Sequence, residues 1–420
     1  MRWFVDTAYL IFLCLTWPLL LVNMIRRGTL RTDWSARFGR VPAQARRTGD
    51  ARRVMLHAVS VGEVNAIRGL VPRLHASGID VVVAVTTDTG FKRAMALFGE
   101  RHVVVRYPLD FSPCVGSFLL SIRPDLVGLV ELEVWPNFTA ACTRRGIPVQ
   151  IINGRLTPRS ARRYRKALFF LRPMFMRLAR IGAQDDAHAQ RFASLGIPPS
   201  RIAVDGNMKW DNAQLRSGVD GSDDLRRAMG IDPDRPLVVA GSTAPDEHLL
   251  LHQAVPPGCQ LLCAPRRPEW FDDAAEVLAG CARRSAGDSG SSTDRFLLDT
   301  IGELSQDYAL ADVVVIGRSF GSLHGSDMIE PIGLGIVTIV GQSVSDFRSI
   351  VDALLDGDGL IQCDRTSLPA ELSKLLENAS ERRRIARNGQ TVILAMQGAT
   401  ERTAAALLGG LGGAHAEDQN

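Results

Sequence analysis

An α/β chain made of two wound parallel sheets is the fold class this sequence predicts, and three observations predict it. Short, continuously apolar, Val/Ile-rich runs alternate with longer amphipathic stretches, the pattern of strands buried on both faces and joined by crossover helices. The runs fall into two sets, separated by a polar segment at 217–234 that carries Gly, Ser and Asp. The chain has 420 residues, enough for two or three domains at roughly 150 residues each.

The elements follow in order. Strands are expected at 54–59, 81–86, 103–107, 126–131 and 149–152, with a strand-like piece at 202–204. The second set is expected at 237–241, 260–264, 296–298, 313–316 and 336–340, with 285–294 as a loop. This gives a first Rossmann-like domain at 28–216, a second at 217–408, and a polar, Gly-rich, disordered tail at 409–420. Two such units facing a cleft place ligands at the carboxyl ends of their strands.

Ahead of them, 1–27 reads as a membrane anchor. Nineteen uncharged residues, 7–25, lie between Asp6 and Arg26; as a helix they reach about 28 Å, close to a hydrocarbon core of roughly 30 Å. Trp3, Tyr9 and Trp17 supply interfacial rings, Trp17 from the middle of the run, while Pro18 and Asn23 interrupt it. No small-residue cleavage site precedes Arg26, which favours an uncleaved anchor over a signal peptide; shallow insertion stays open. Arg26, Arg27, Arg31 and Arg37 follow the run and Arg2 alone precedes it, so the remainder is expected on the cytoplasmic side.

Composition narrows the function classes. With 46% apolar and 22% charged residues, wholesale disorder and a polytopic membrane protein are excluded. The seven cysteines are scattered without a CxxC pair, which argues against a disulfide framework or zinc site. A net charge of +4 does not by itself imply nucleic-acid binding. It does conceal a local bias: no Asp or Glu occurs between Val134 and Gln184, while arginines interleave there with Leu168, Phe169, Phe170, Leu171, Met174 and Phe175. A basic, apolar-faced helix suits an anionic lipid surface, the plain alternative being a solvated arginine face over an ordinary core. No RNA-binding signature accompanies it. Only Lys92, Lys166, Lys209 and Lys374 are lysines.

The candidate site residues follow strands. His57-Ala58-Val59-Ser60-Val61-Gly62-Glu63 ends the first strand and opens a helix. Gly62 suits a tight turn, and Glu63 is either a general base tuned by burial or a carboxylate complementing the helix dipole. Glu131-Leu132-Glu133-Val134-Trp135-Pro136-Asn137 puts two carboxylates at alternate positions of a strand end, hence on one side, as a working pair or as solvated acids. Lys209, in Gly206-Asn207-Met208-Lys209-Trp210-Asp211, can neutralise a phosphate or carboxylate or simply face solvent. The second half carries Gly241-Ser242-Thr243, Pro265-Arg266, Ile301-Gly302-Glu303, Gly317-Arg318-Ser319 and Asp327-Met328-Ile329-Glu330. These are individually weak signals that in series suit phosphate and ribose contacts. Walker A, HExxH and GxGxxG patterns are absent from the sequence.

Taken together, HAVSVGE, ELEVWPN, NGRLTPRSARRY and GNMKWD, in that order, resemble the 3-deoxy-D-manno-octulosonic acid (Kdo) transferase family. The resemblance covers nearly the whole chain. It implies a GT-B fold, a CMP-activated Kdo donor, a phosphorylated lipid A precursor as acceptor, the cytoplasmic face of the inner membrane, no nucleic acid, and no metal or resident cofactor. By position it implies that Glu63 is the general base and that Glu133 and Lys209 stabilise the transition state. It further implies that Pro265, Arg266, Ile301, Gly302, Glu303, Asp327, Met328, Ile329 and Glu330 form the CMP-contacting segments. The family usually reads Gly-Gly-Ser at 317–319, Asn-Pro-Leu-Glu at 327–330, and His where this chain has Ala244. Asp327 in place of Asn is expected to weaken donor binding by its added charge. Another GT-B transferase, a sugar-nucleotide epimerase, and a non-catalytic lipid-binding relative are the competing readings. An epimerase needs neither the anchor nor the arginine-rich stretch, and a decayed relative need not keep Glu63, Glu133 and Lys209.

Overall fold

The computed structural model describes residues 2–26, 32–287, 290 and 293–413. The chain divides into two compact units, Met1–Asn212 with Gln397–Asn420, and Ala213–Met396.

In the first unit, β1 (Arg53–Ala58), β2 (Asp80–Val85), β3 (Val103–Arg106), β4 (Leu126–Val130), β5 (Val149–Gly154), β6 (Arg180–Ala183) and β7 (Ile202–Val204) form one sheet. Their order is β3-β2-β1-β4-β5-β6-β7, and every pair is parallel. All residues of β1, β4 and β5 are buried, which is why they read as mainly apolar runs, with Arg53, His57, Gln150 and Asn153 as buried polar residues among them. Successive side chains feed opposite cores: Met55, Val82, Val127 and Ile151 on one face, Leu56, Val83, Leu126 and Ile152 on the other.

The second unit repeats the scheme with β8 (Leu237–Thr243), β9 (Gln260–Pro265), β10 (Ala282–Arg283), β11 (Arg295–Leu297), β12 (Val313–Ile316), β13 (Val337–Val340) and β14 (Ile361–Gln362). The order is β10-β11-β9-β8-β12-β13-β14, again all parallel. The winding reverses at β1/β4 and at β8/β12, so each unit carries its own switch point.

Three expectations are corrected. The strand Arg180–Ala183 and the two-residue edges β10 and β14 lie outside the expected set. The chain beyond Gln397 belongs to the first unit rather than the second. Its helix Ala399–Gly413 buries Ala399, Ala404, Leu407 and Leu411 among Leu56, Leu126 and Ile152. Asp211 begins it, accepting from the backbone N–H of Gly398 at 2.6 Å and from that of Thr400, and Arg402 Nε donates to the Asp205 carbonyl at 2.7 Å. The expected tail is therefore helical through Gly413, and 414–420 lie outside the described residues, as do 288, 289, 291 and 292 of the expected loop.

The expected anchor is a helix, Arg2–Arg26, with Pro18 inside it. Among the described residues no helix is long and apolar enough to cross a membrane. The first turns are tied to the protein: Asp6 accepts from Ser112 N–H at 3.1 Å and Asn137 Nδ2 at 2.8 Å, and Tyr9 donates to Asp110 at 3.0 Å. What remains, 10–25, reaches about 24 Å as a helix, short of a core of roughly 30 Å. Arg27 and Arg31, on which the expected orientation partly rested, lie outside the described residues.

Candidate functional site

In the first unit the candidate site grows from the end of β1. Ser60 leaves the strand in an extended conformation and caps the helix Val61–Ala66. Its Oγ accepts from the Glu63 N–H at 3.3 Å and donates to Glu63 Oε1 at 2.9 Å, while Glu63 Oε2 accepts from the Val59 N–H at 2.8 Å. Ser-x-x-Glu thus satisfies the helix start reciprocally and fixes the carboxylate. Glu63 is 8% exposed. Burial pushes its carboxyl up to about 7; Glu131 and Glu133 add to the rise, and the bonds from Val59 and Ser60 oppose it. A carboxyl near 7 is half ionised at neutral pH and suits proton abstraction. Gly62 does not form the tight turn that the sequence suggested. It lies inside the helix without a positive φ, and a Cβ there meets only Ser60 Oγ, at 3.8 Å.

Glu131 follows β4 with φ +59°. The strand has ended at Val130, so strand alternation does not orient the two acids as the sequence suggested. Their charges nonetheless both act on Glu63. Burial raises the Glu133 carboxyl, the Trp135 indole N–H opposes this from 3.3 Å, and Glu131 adds to it. Lys209 is half-buried, between the buried Met208 and Trp210. Its turn is pinned from three sides: Lys209 N–H donates to Asn207 Oδ1, Met208 N–H to Asn153 Oδ1, and Asn212 Nδ2 to the Asn65 carbonyl, each at 3.0 Å. Through Asn65 this turn is joined to the helix of Glu63.

Other residues of the same motifs are structural. His57 is fully buried, stacked on Tyr107 with ring centroids 3.6 Å apart, and bonded to Thr86 Oγ1 at 2.9 Å; burial, then Arg37, holds it down at about 3 and hence neutral. Asn137 donates to the Asp110 carbonyl at 2.6 Å, and Asp110 accepts from the N–H groups of Asn137 and Phe138 at 3.0 and 2.8 Å.

In the second unit the expected segments sit at strand ends and differ in what their side chains offer. Pro265 closes β9 and is followed by the exposed Arg266, whose N–H donates to the Thr243 carbonyl at 3.0 Å. Ile301 is 73% exposed and Gly302 adopts φ +108°. The Glu303 carboxylate is already engaged: Arg284 Nη2 donates at 2.7 Å and Thr300 Oγ1 at 2.5 Å, and the Arg284 bond holds it below its ordinary range. Asp327 and Glu330 are exposed, whereas Met328 and Ile329 are core residues, so these two can approach a ligand only through backbone. Asp327 Oδ1 accepts from the Ile329 N–H at 3.0 Å.

The sequence offers Glu247, beside Asp246 after Gly241-Ser242-Thr243, without assigning it a role. This fully buried carboxylate accepts from the N–H groups of Ala244, Arg318 and Phe320 at 2.9, 2.7 and 2.9 Å, clamping the turn after β12 to the start of the helix Pro245–Ala254. The available signal is an acid three residues beyond a strand–helix junction.

Two doubly wound parallel sheets, each with its own switch point, are the architecture of the GT-B fold. A glycosyltransferase from Rickettsia africae has this fold: TM-score 0.59 at 10% identity, covering 87% of this chain and 99% of that one. The sequence profile described as 3-Deoxy-D-manno-octulosonic-acid transferase (kdotransferase) matches residues 32–212. The chain is 34% identical to the 3-deoxy-D-manno-octulosonic acid transferase of Bordetella pertussis, over 90% of this chain and 91% of that one. It is 31% identical to that of Haemophilus influenzae, over 83% and 85%. The chain belongs to the 3-deoxy-D-manno-octulosonic acid transferase family and is a glycosyltransferase.

Proposed function

We propose that this protein transfers Kdo from CMP-Kdo to a phosphorylated lipid A precursor, with inversion, at the cytoplasmic face of the inner membrane. The observation that carries the mechanism is Glu63, a buried carboxyl raised to about 7 and aimed by Ser60 and Val59. Its ionised form takes the proton from an acceptor sugar hydroxyl. The hydroxyl oxygen bonds to the anomeric carbon of Kdo as the bond to the phosphate oxygen breaks, and CMP departs with that electron pair. Glu133 and Lys209 supply opposite charges beside this chemistry and stabilise the transition state. Pro265, Arg266, the segment 301–303 and the segment 327–330 hold the nucleotide without a resident cofactor.

Membrane contact is supported by two neighbouring elements of the first unit. The helix Arg2–Arg26 leaves Leu10, Phe12, Leu15, Trp17, Leu19 and Ile25 exposed, and the helix Leu168–Phe175 exposes Phe169 and Phe170. Both pack against Pro136–Thr143, and the strongly basic helix Pro158–Lys166 precedes the second. Apolar groups beside arginines suit insertion into an anionic interface rather than a span.

The test is incubation of the full chain with CMP-Kdo and a tetraacyl lipid A precursor, followed by mass analysis. A product heavier by one or more Kdo units is expected, and Glu63→Ala is expected to abolish it while CMP binding and folding persist. Near-normal turnover by Glu63→Ala refutes the base.

A further inference from the structure

Arg318 occupies a conformation that suits glycine, with φ +60°. The turn around it is fixed without its side chain. Gly317 N–H donates to the Gly241 carbonyl at 2.8 Å, Arg318 and Phe320 donate to Glu247, and Gly325 N–H donates to the Arg318 carbonyl at 2.7 Å. Ser319 Oγ donates to the Ile316 carbonyl at 2.5 Å and accepts from the Gly341 N–H at 2.7 Å. A Cβ on Gly317 would stand 2.4 Å from Thr243 Cα, so the turn presses against the end of β8. Glycine at 318 would meet every one of these backbone demands with less strain. A left-handed arginine in an over-determined turn is the kind of outlier that points to a use for its side chain.

That side chain is half-buried and donates from Nη2 to the Leu323 carbonyl at 2.9 Å. Burial, then the charges of Arg266 and Arg267, holds its guanidinium below the ordinary arginine value, while Asp346 and Glu247 oppose. The Glu247 oxygens are already taken by three backbone N–H groups. Arg266 and Arg318 thus flank the end of β8, one bonded by its N–H to Thr243 and the other one residue past the Gly317–Gly241 bond. Like charges held together beside the switch point call for an anion between them.

We propose that Arg318, with Arg266, binds the anionic part of the activated sugar donor, its phosphate or its sugar carboxylate, and so contributes donor affinity that the turn's backbone alone does not supply. The inference rests on the donor reading given under Proposed function.

The experiment titrates the full chain with cytidine and CMP by calorimetry, measures the KM for CMP-Kdo, and records Tm for the wild type, Arg318→Gly and Arg318→Lys. Arg318→Gly is expected to keep or raise Tm and to leave cytidine binding unchanged. Loss of a charge-assisted contact is expected to weaken the anionic ligand roughly tenfold, with Arg318→Lys between the two. Weakened CMP binding assigns the contact to the phosphate; unchanged CMP binding with a raised KM for CMP-Kdo assigns it to the sugar carboxylate. Arg318→Gly equal to wild type for both CMP and CMP-Kdo overturns the inference, as does a fall in Tm with an equal loss of cytidine binding. A wild type that binds neither CMP nor CMP-Kdo refutes the donor reading itself, and the inference with it.

Discussion

Ser60→Ala separates the tuning of Glu63 from its presence. The hydroxyl does two things: it accepts from the Glu63 N–H at 3.3 Å and donates to Glu63 Oε1 at 2.9 Å. The first is a helix cap, and losing it costs about 1 kcal/mol of stability at any pH. The second stabilises only the ionised carboxylate, so its loss raises the Glu63 pKa. A hydrogen bond to a charged group contributes about 1.5–3 kcal/mol; with the Val59 bond retained, the lower end applies and the rise is roughly one unit. Glu63 must be ionised to act as base, so the acid limb of kcat/KM, expected near 7 in the wild type, moves to about 8. At pH 6 the variant loses roughly tenfold, and at pH 9 it recovers to within a factor of about two. The assay is kcat/KM against pH at fixed ionic strength, with CMP release as readout. A limb that stays in place or moves to lower pH refutes the reasoning, as does a loss of equal size at every pH.

Three further predictions follow from the same geometry. The folded Glu63 keeps a proton that the unfolded chain releases near 4.5, so wild-type stability falls as pH rises from about 4.5 to about 7 and then levels. Glu63→Gln removes that fall and is more stable than wild type at pH 8 by about 3 kcal/mol; a stability difference independent of pH in urea melts counts against it. Glu247→Ala leaves three backbone N–H groups without their acceptor and is expected to cost about 3–5 kcal/mol, read as a lowered urea midpoint. Leu407→Ala, in the returning helix, should cost about 2–4 kcal/mol and increase hydrogen exchange in the first unit's sheet, whereas a change confined to the second unit's sheet would contradict the assignment of 397–413.

The fold is legible where burial is two-sided. β4 and β12 are Val/Leu- and Val/Ile-rich runs because both faces of their sheets are covered. β6 escapes because Arg180-Ile181-Gly182-Ala183 carries one large apolar side chain; Gly182 is required by the close approach of Asp205, whose Oδ2 would lie 2.0 Å from a Cβ there, and Arg180 pairs with that same aspartate at 2.6 Å. The return of the C-terminal helix escapes for a different reason. Its amphipathic pattern states that one face is buried but not against which sheet, and its glycines imitate a disordered tail. Gly410 instead lets the helix lie against Leu126 and Gln150, whose atoms stand 2.7 and 2.3 Å from a Cβ placed on it. The partner that settles the matter, Asp211, sits 188 residues before Ala399 in the sequence and is invisible to any local reading.

The site is legible in the same uneven way. Ser60-x-x-Glu63 is a local pattern with a local cause, so both the helix start and the placement of the carboxylate are available from the sequence. The Glu131/Glu133 geometry is not, because it depends on β4 ending at Val130 and on a left-handed residue that no Gly marks. The departures at 318 and 327 show what is lost when substitutions are weighed singly. Asp327 places a carboxylate oxygen on the Ile329 N–H at 3.0 Å, a bond that an asparagine oxygen makes equally well, so the helix start is preserved while one negative charge is added. Arg318 adds one positive charge to the neighbouring turn at the cost of a strained φ. The two changes cancel in net charge, and the weaker donor binding expected from Asp327 counts only one of them. With the guanidinium placed beside Arg266 at the switch point and the carboxylate engaged by the Ile329 N–H, the redistribution favours an anionic ligand on the β8 side of the second unit.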